Sequence, residues 1–252
     1  MNRQKFSSIA HRDHDYCNPI SAAKIEHVLS LLSLDGNSSV LELGCGRAEL
    51  ALTIIERFGA NVTAIDNSTL MLDAARGRAL ARGVLSKLTL FEIDVREFRA
   101  PPESFDLTVM IGAGGIDGGI AGICRQLKTW TKGESHVLVG EGYWRKQPHP
   151  AYVAFLGGSE EEFRDHAGNV QAGVDAGLVP IHAVTSSLDE WDEYEWKYSR
   201  SIERYARECP DDLDVPAMLD RVRQWREAYL RWGRDTLGFG LYLFYRPNDR
   251  TQ

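Results

Sequence analysis

Residues 40–49 read Val-Leu-Glu-Leu-Gly-Cys-Gly-Arg-Ala-Glu, in which a short apolar run leads into two glycines and then into a helical pattern. A continuous apolar run that ends at turn residues is typical of a buried strand. Glycines at such a point let the backbone turn tightly and approach a ligand closely. We therefore predict a strand, a ligand-binding turn at Gly44–Gly46, and a helix that begins near Ala48.

The pattern on both sides of this turn predicts a layered sheet. From about Ser21 to Gly142, apolar runs alternate with helical stretches, which is typical of βαβ units. The predicted strands are Ser39–Leu43, Asn61–Asp66, Leu88–Ile93, Phe105–Ile111, Ser135–Gly140, Val179–Ser186 and 240–245. The predicted helices are Ala22–Leu32, Ala48–Phe58, Thr69–Arg82, Ile120–Thr131, Glu162–Ala176, Asp189–Arg207 and Pro216–Arg234. We predict an α/β fold with a doubly wound, mostly parallel seven-stranded sheet (Rossmann-like), an antiparallel last strand and a helical cap insertion.

The chain shows no internal repeat and no low-complexity linker, so we expect a single domain over residues 1–252. Residues 1–20 are interpreted as an N-terminal arm or lid, and residues 188–235 as a helical insertion before the last strand. The formal net charge of −7 comes without a basic stripe, which argues against nucleic acid as a partner. No apolar stretch approaches the roughly 20 residues of a membrane span. We expect a cytoplasmic protein with no membrane partner, and the oligomeric state stays open.

Two carboxylates near the turn help to separate two classes of ligand. Counting from Gly44, the third glycine of the dinucleotide fingerprint would fall at Glu49, a large charged residue. Glu42 puts a second carboxylate where a pyrophosphate would be repelled and where a cationic sulfonium or ammonium group would be favoured. The spacing therefore argues against an NAD-linked dehydrogenase and for an S-adenosyl cofactor.

Two more acids are predicted at the carboxyl ends of the following strands. Asp66 comes 22 residues after Gly44, where a carboxylate can accept both hydroxyls of a ribose. Asp94 could accept the exocyclic N–H of an adenine, while Val95 packs on its ring. Carboxyl ends of parallel strands meet at one crevice, so we expect these groups to converge. Each feature alone could be structural, for example Asp66 as the N-cap of the next helix.

At these residues the chain resembles the class I S-adenosylmethionine-dependent methyltransferases. The resemblance implies that the glycine turn holds the methionine part of the cofactor, that Asp66 holds the ribose, and that Asp94 and Val95 meet the adenine. One departure is Ala48, where the family commonly has a third glycine. The predicted residues that bind S-adenosyl-L-methionine are Glu42, Gly44, Cys45, Gly46, Asp66, Asn67, Met71, Asp94, Val95 and Ile111.

The second half of the chain resembles a group of largely uncharacterised bacterial small-molecule methyltransferases. That resemblance rests on residues 18–21 (Asn-Pro-Ile-Ser), 140–144 (Gly-Glu-Gly-Tyr-Trp), 191–194 (Trp-Asp-Glu-Tyr) and 229–233 (Tyr-Leu-Arg-Trp-Gly). It implies a small-molecule substrate without naming one. We therefore predict methyl transfer to an O, N or S atom of a small molecule by in-line displacement. A non-catalytic S-adenosyl-binding sensor or scaffold is the alternative from another class.

Catalytic candidates come from two segments expected to flank the cofactor. In the N-terminal arm they are His11 and His14, which could meet the substrate or simply belong to a solvated arm. At the carboxyl end of the fifth strand they are Glu141 and Tyr143; the acid could orient or deprotonate a substrate, or cap a loop. No ligand cluster beyond the two histidines is evident, so no metal site is predicted.

Two further patterns bear on the substrate. After the fourth strand the chain has Gly112 and Ala113, whereas enzymes of this class that methylate base amino groups carry an Asp or Asn followed by two prolines and an aromatic residue. This difference argues against nucleic-acid bases. The aromatic residues of 189–234 could form a core stripe or the wall of a pocket. The acids among them, Asp189, Glu190, Asp192, Glu193 and Glu195, are interpreted mostly as a solvated face.

Overall fold

The computed structural model describes residues 1–248, and its centre is one seven-stranded sheet. The strand order is β3-β2-β1-β4-β5-β7-β6, in which β1 to β5 are parallel and β7 is antiparallel to both of its neighbours. The strands are β1 Ser39–Leu43, β2 Asn61–Asp66, β3 Leu88–Glu92, β4 Phe105–Ile111, β5 Thr131–Trp144, β6 Val179–Thr185 and β7 Leu237–Arg246. The predicted sheet, mostly parallel with an antiparallel last strand, is confirmed.

Helices cover both faces of this sheet. They are α1 Arg3–Ala10, α2 Ala22–Leu29, α3 Glu49–Phe58, α4 Thr69–Ala81, α5 Gly119–Trp130, α6 Pro150–Leu156, α7 His166–Asp175, α8 Leu188–Glu208 and α9 Val215–Ala228, the last followed by a π-helical turn at Tyr229–Gly233. Successive residues of β1 point to opposite faces, so Val40 packs in one core cluster and Leu41 in the other. Because both faces are buried, the inner strands are mostly apolar along their whole length.

Strand β5 is longer than the sequence predicted. Its predicted end was Gly140, where parallel pairing with β4 stops. The strand continues because Glu141–Trp144 pair with Gly240–Leu237 of β7. Glu141 and Tyr143 therefore lie at the carboxyl end of the fifth strand as predicted, but within the strand, whose predicted end at Gly140 was wrong.

The cap combines segments from both predicted flanking regions. Residues 1–20, interpreted as an arm, contain the helix α1, which the sequence reasoning missed. Phe6 and Ala10 of α1 pack against Ile202 of α8 and Met218 of α9. Lys5 forms ion pairs with Asp212 and Asp214 in the loop between those helices. Residues 249–252 of the predicted domain lie outside the described part of the chain. Among residues 1–248, no helix is both long enough and apolar enough to cross a membrane.

Candidate active site

A cavity of about 530 Å³ opens at the carboxyl ends of β1, β2 and β4. At this point the strand order reverses, since β1 lies between β2 and β4, and open α/β sheets bind ligands there. Predicted residues on its wall are His11, Gly44, Gly46, Asp66, Asn67, Met71 and Ile111. Residues on its wall that were not predicted include Arg3, Gln4, Ser7, Cys17, Ser68, Gly112, Ala113, Tyr194, Glu195, Tyr198 and Trp225.

The glycine turn approaches the loop after β4 too closely for a side chain. Gly44 has φ +69°, and a Cβ added to it would lie 2.3 Å from the Cβ of Ala113. Both facts require glycine. The turn is also held to β2, because the backbone N–H of Cys45 donates to the carbonyl of Ile65 at 2.9 Å. The backbone of Gly44 is thus exposed to the cavity, where a ligand can approach it closely.

Asp66 fastens two loops around the cavity. One carboxylate oxygen accepts from the backbone N–H of Gly46 at 2.9 Å, and the other from that of Ser68 at 2.9 Å. The N-cap position of α4 is Ser68, not Asp66. An acid fixed in this way presents its remaining lone pairs at a constant position. Asp66 therefore fits the predicted partner of two ribose hydroxyls.

Glu42 lies buried beneath the glycine turn, on the wall of a small adjoining pocket of about 50 Å³ that also includes Cys45. Its carboxylate accepts from the backbone N–H of Ala51 at 3.1 Å. Burial raises the pKa of Glu42 to about 8, and the nearby Asp66 acts in the same direction. A cation that enters beside these two acids would favour the ionised form of Glu42.

The residue at the third-glycine position of a dinucleotide site has another role here. Glu49 forms ion pairs with Arg78 at 2.5 Å and Arg82 at 2.6 Å. These contacts tie the start of α3 to α4. Just before it, Ala48 adopts a left-handed conformation with φ 58°, which glycine would adopt more readily. Ala48 therefore keeps the backbone conformation that the third glycine of the related motif would adopt, although it carries a methyl side chain.

The predicted adenine contacts do not lie on the wall of this cavity. The carboxylate of Asp94 is engaged by Arg96, whose Nε donates at 2.9 Å and whose terminal nitrogen donates at 2.7 Å. These bonds lower the pKa of Asp94 to about 2. Val95 faces Gly115 of the loop after β4. The adenine roles of Asp94 and Val95 remain predictions.

His11 reaches the cavity from the end of α1. Its Nδ1–H donates to the carbonyl of Ser7 at 2.9 Å, so in the neutral ring Nε2 is the acceptor, and the hydroxyl of Tyr194 lies 3.0 Å from it. Burial lowers the pKa of His11 to about 4. The ring is therefore neutral at pH 7, and its basic nitrogen is already bonded to Tyr194.

His14 is not brought to the cavity. Its Nε2–H donates to the backbone carbonyl of Tyr194 at 2.9 Å, and the ring is buried. The backbone around both histidines is clamped by Arg47, which donates to the carbonyls of His11, Arg12 and His14. His14 thus fixes the arm to α8 and does not face the crevice.

Glu141 lies on the wall of a second cavity of about 620 Å³, which shares Gly112 and Ala113 with the first. Tyr143 is buried, and its ring meets the edge of His166 with ring centroids 5.4 Å apart. Neither residue lines the main cavity. Among residues 1–248, no group of three or more His, Cys, Asp or Glu side chains is placed to hold a metal ion.

The cap contributes four cavity residues: three aromatic residues, which agree with the pocket-wall alternative for residues 189–234, and Glu195, which was not a predicted site residue. Tyr194, Glu195 and Tyr198 share one face of α8 at i, i+1 and i+4 spacing, and Trp225 of α9 joins them. Glu195 is only 8% exposed, so its interpretation as part of a solvated face was wrong. A signal existed in the sequence, because Glu195 falls one helical turn after Trp191, which is also buried.

Comparison with known proteins agrees with this geometry. A family model described as a methyltransferase domain matches residues 40–129. The uncharacterised protein YjhP of Escherichia coli K12 is 27% identical over 244 residues, which cover 96% of this chain and 98% of that protein. A crystal structure of an S-adenosylmethionine-dependent methyltransferase from Geobacter sulfurreducens with S-adenosyl-L-homocysteine has a TM-score of 0.88 and 25% identity, covering 96% of this chain and 98% of the other.

A second such complex, of the enzyme from Thiobacillus denitrificans with S-adenosyl-L-homocysteine, has a TM-score of 0.87 and 25% identity, covering 98% of this chain and 99% of the other. The domain match spans the glycine turn and Asp66, and the structural matches include the cap. These findings confirm the prediction from the sequence: the chain is an S-adenosylmethionine-dependent methyltransferase.

Proposed function

We propose that this S-adenosylmethionine-dependent methyltransferase transfers the methyl group to an O, N or S atom of a small molecule by in-line displacement. The observation that carries the proposal is the continuity of one cavity. Its wall runs from the predicted cofactor residues Gly44 and Asp66 to the cap residues Tyr194 and Trp225. Donor and acceptor can therefore share one cavity.

The residues present fit an S-adenosyl cofactor. Gly44 supplies a backbone cradle that a Cβ would fill, and Asp66 is fixed by two backbone N–H groups. Glu42, Cys45, Gly46, Asn67, Met71 and Ile111 would complete the site, with Asp94 and Val95 toward adenine. The cofactor supplies a methyl carbon activated by a positively charged sulfur, and the buried Glu42 and the partly buried Asp66 favour positive charge nearby.

The acceptor side is closed by the arm and the cap. Gln4 of α1 donates to the backbone carbonyl of Asn67 at 3.1 Å, so α1 extends over the loop after β2. The hydroxyl of Tyr194, bonded to His11, faces the same space. We propose that these groups align the acceptor and exclude water, which lowers the barrier by proximity and orientation. A cap of this kind suits a small molecule.

Two measurements test the proposal. Calorimetry with S-adenosyl-L-homocysteine and, separately, with NAD compares the two cofactor classes; binding of NAD alone would overturn the choice. Transfer of a labelled methyl group from S-adenosyl-L-methionine to a panel of small alcohols, amines and thiols then tests turnover. Tight cofactor binding without transfer to any acceptor would instead support the sensor or scaffold alternative.

A further inference from the structure

A buried carboxylate faces the acceptor end of the cavity without a cationic partner from the described chain. Glu195 is 8% exposed, and its Oε2 accepts from the indole N–H of Trp225 at 2.8 Å. Ion pairs engage five of the six other acids of α8, which are Glu190, Asp192, Glu193, Glu203 and Glu208, and the sixth, Asp189, is exposed. Buried charges in proteins are normally paired, so a ligand is the remaining source of positive charge.

Aromatic rings border the space next to this carboxylate. Tyr198 lies three residues after Glu195 on the same face of α8. Its ring centroid is 6.4 Å from that of Trp225, with the ring planes tilted by 47°. Tyr194 completes the wall. Ring faces attract cations, most strongly where water is excluded.

The other charged groups on the cavity wall do not neutralise Glu195. Asp66 adds a second negative charge at the cofactor end, and His11 is neutral because burial lowers its pKa to about 4. Arg3 is exposed at the start of α1. Burial raises the pKa of Glu195 to about 7. A cation beside it would restore the ionised form near neutral pH.

We propose that the acceptor end of the cavity recognises a substrate that carries a protonated amine or a quaternary ammonium group, with Glu195 as its counter-ion and Tyr198 and Trp225 as ring contacts. The inference rests on the proposed function, since it names the class of molecule that enters the same site. It excludes anionic acceptors that lack such a nitrogen.

The test uses the full chain saturated with S-adenosyl-L-homocysteine. Calorimetry compares choline with its uncharged carbon isostere, in which a tert-butyl group replaces trimethylammonium, and benzylamine with benzyl alcohol. We expect at least one cation to bind about tenfold or more tightly than its neutral partner. Equal affinities within both pairs, or no binding of any of the four, would overturn the proposal.

Four variants test whether the preference for a cation arises at Glu195 and Tyr198. Glu195→Gln keeps the shape of the side chain and should abolish the preference for the cation, whereas Glu193→Gln, on the exposed face of the same helix, should keep it. Tyr198→Phe retains a ring and should bind the cation better than Tyr198→Leu. A preference that survives in Glu195→Gln would contradict the proposal.

The result stays separable from the proposed function. Affinity for S-adenosyl-L-homocysteine is measured first in every protein. If Glu195→Gln binds it normally and the wild type shows no preference for cations, the substrate class fails and the methyl-transfer proposal stands. If the wild type does not bind S-adenosyl-L-homocysteine, the methyl-transfer proposal fails, and the same titrations of the free protein still test for a cation site.

Discussion

The Nε2 atom of His11 and the hydroxyl oxygen of Tyr194 lie 3.0 Å apart and link the end of α1 to α8 above the cavity. The bond fixes the direction of the proton, because Nδ1 of His11 already donates to the carbonyl of Ser7. Tyr194 therefore donates to His11 at 3.0 Å, and the carbonyl of Cys17, 3.4 Å from the same hydroxyl, is the second acceptor within reach. Protonation of His11 would reverse the bond, because Nε2–H would then donate to the hydroxyl oxygen of Tyr194.

Acid should weaken the fold through His11. Its pKa is lowered from 6.5 to about 4 in the folded chain, so the unfolded chain binds the extra proton first as the pH falls. The buried neutral ring makes its full contribution to the free energy of unfolding above pH 6.5. This contribution, up to about 3 kcal/mol, is lost as the pH falls toward 4. Urea unfolding across this range should show a smaller acid loss for His11→Gln than for the wild type.

The comparison of those two proteins isolates His11, because the raised pKa values of Glu42 and Glu195 affect both equally. Those two groups act in the opposite direction, since a folded-state pKa above the unfolded value costs stability as the pH rises. Identical pH profiles for the wild type and His11→Gln would show that the buried neutral ring does not contribute as we expect.

Removal of the Asp66 carboxylate should weaken cofactor binding. Asp66→Ala would leave two ribose hydroxyls without their proposed partner, and we expect a loss of about 1–3 kcal/mol in the affinity for S-adenosyl-L-homocysteine. Calorimetry gives the value directly. Asp73→Ala, on the exposed side of α4, is the matched control and should bind as the wild type does. Unchanged affinity in Asp66→Ala would discredit the ribose role.

Replacement of glycine by alanine should abolish cofactor binding at position 44 and should stabilise the fold at position 77. Gly44→Ala would place its Cβ 2.3 Å from that of Ala113 at φ +69°, so we expect loss of cofactor binding. Gly77→Ala lies inside α4 with no atom within 4 Å of the new Cβ, and we expect a gain of about 0.5–1 kcal/mol in unfolding free energy. Calorimetry and urea unfolding measure the two effects. Normal binding by Gly44→Ala would show that the loop after β4 can move aside.

Loss of the Arg47 clamp should loosen the arm before it affects the sheet. Arg47→Met leaves the carbonyls of His11, Arg12 and His14 without their donor, at a cost of about 1–3 kcal/mol. Hydrogen exchange should accelerate in residues 3–17 and stay slow in β1 and β4. Arg82→Met, which removes an ion pair with Glu49, serves as control. Equal exchange in the arm of both variants would argue against the clamp.

The sheet could be predicted because its signals are local. Each inner strand is buried on both faces, so runs such as Val40–Leu43 and Phe105–Ile111 are mostly apolar, and Glu42 and Asp106 are the charged residues within them. The acids at the strand ends could be predicted because the carboxyl ends of parallel strands meet at one edge of the sheet. Asp66 lines the cavity as expected.

The acceptor side could not be predicted because it depends on contacts between distant segments. Glu195 follows four other acids in the sequence, and although its spacing from Trp191 indicates burial, only the packing of α9 on α8 places Trp225 against its carboxylate. His14 and His11 are three residues apart, yet the turn after α1 sends only His11 into the cavity. The pairing of Glu141 with Gly240 of β7 extended β5 past its apolar run.

The wall of the main cavity is built from two separate parts of the chain. The glycine turn and Asp66 lie within the methyltransferase-domain match at residues 40–129, whereas Arg3 to His11 and Tyr194 to Trp225 lie outside that range and line the same cavity. Substitutions in the latter segments can therefore alter one part of the cavity wall while Gly44 and Asp66 keep their positions in the sheet. Chimaeras that exchange only these two segments between homologues therefore offer a way to change the acceptor while the sheet and its cofactor-binding turn stay the same.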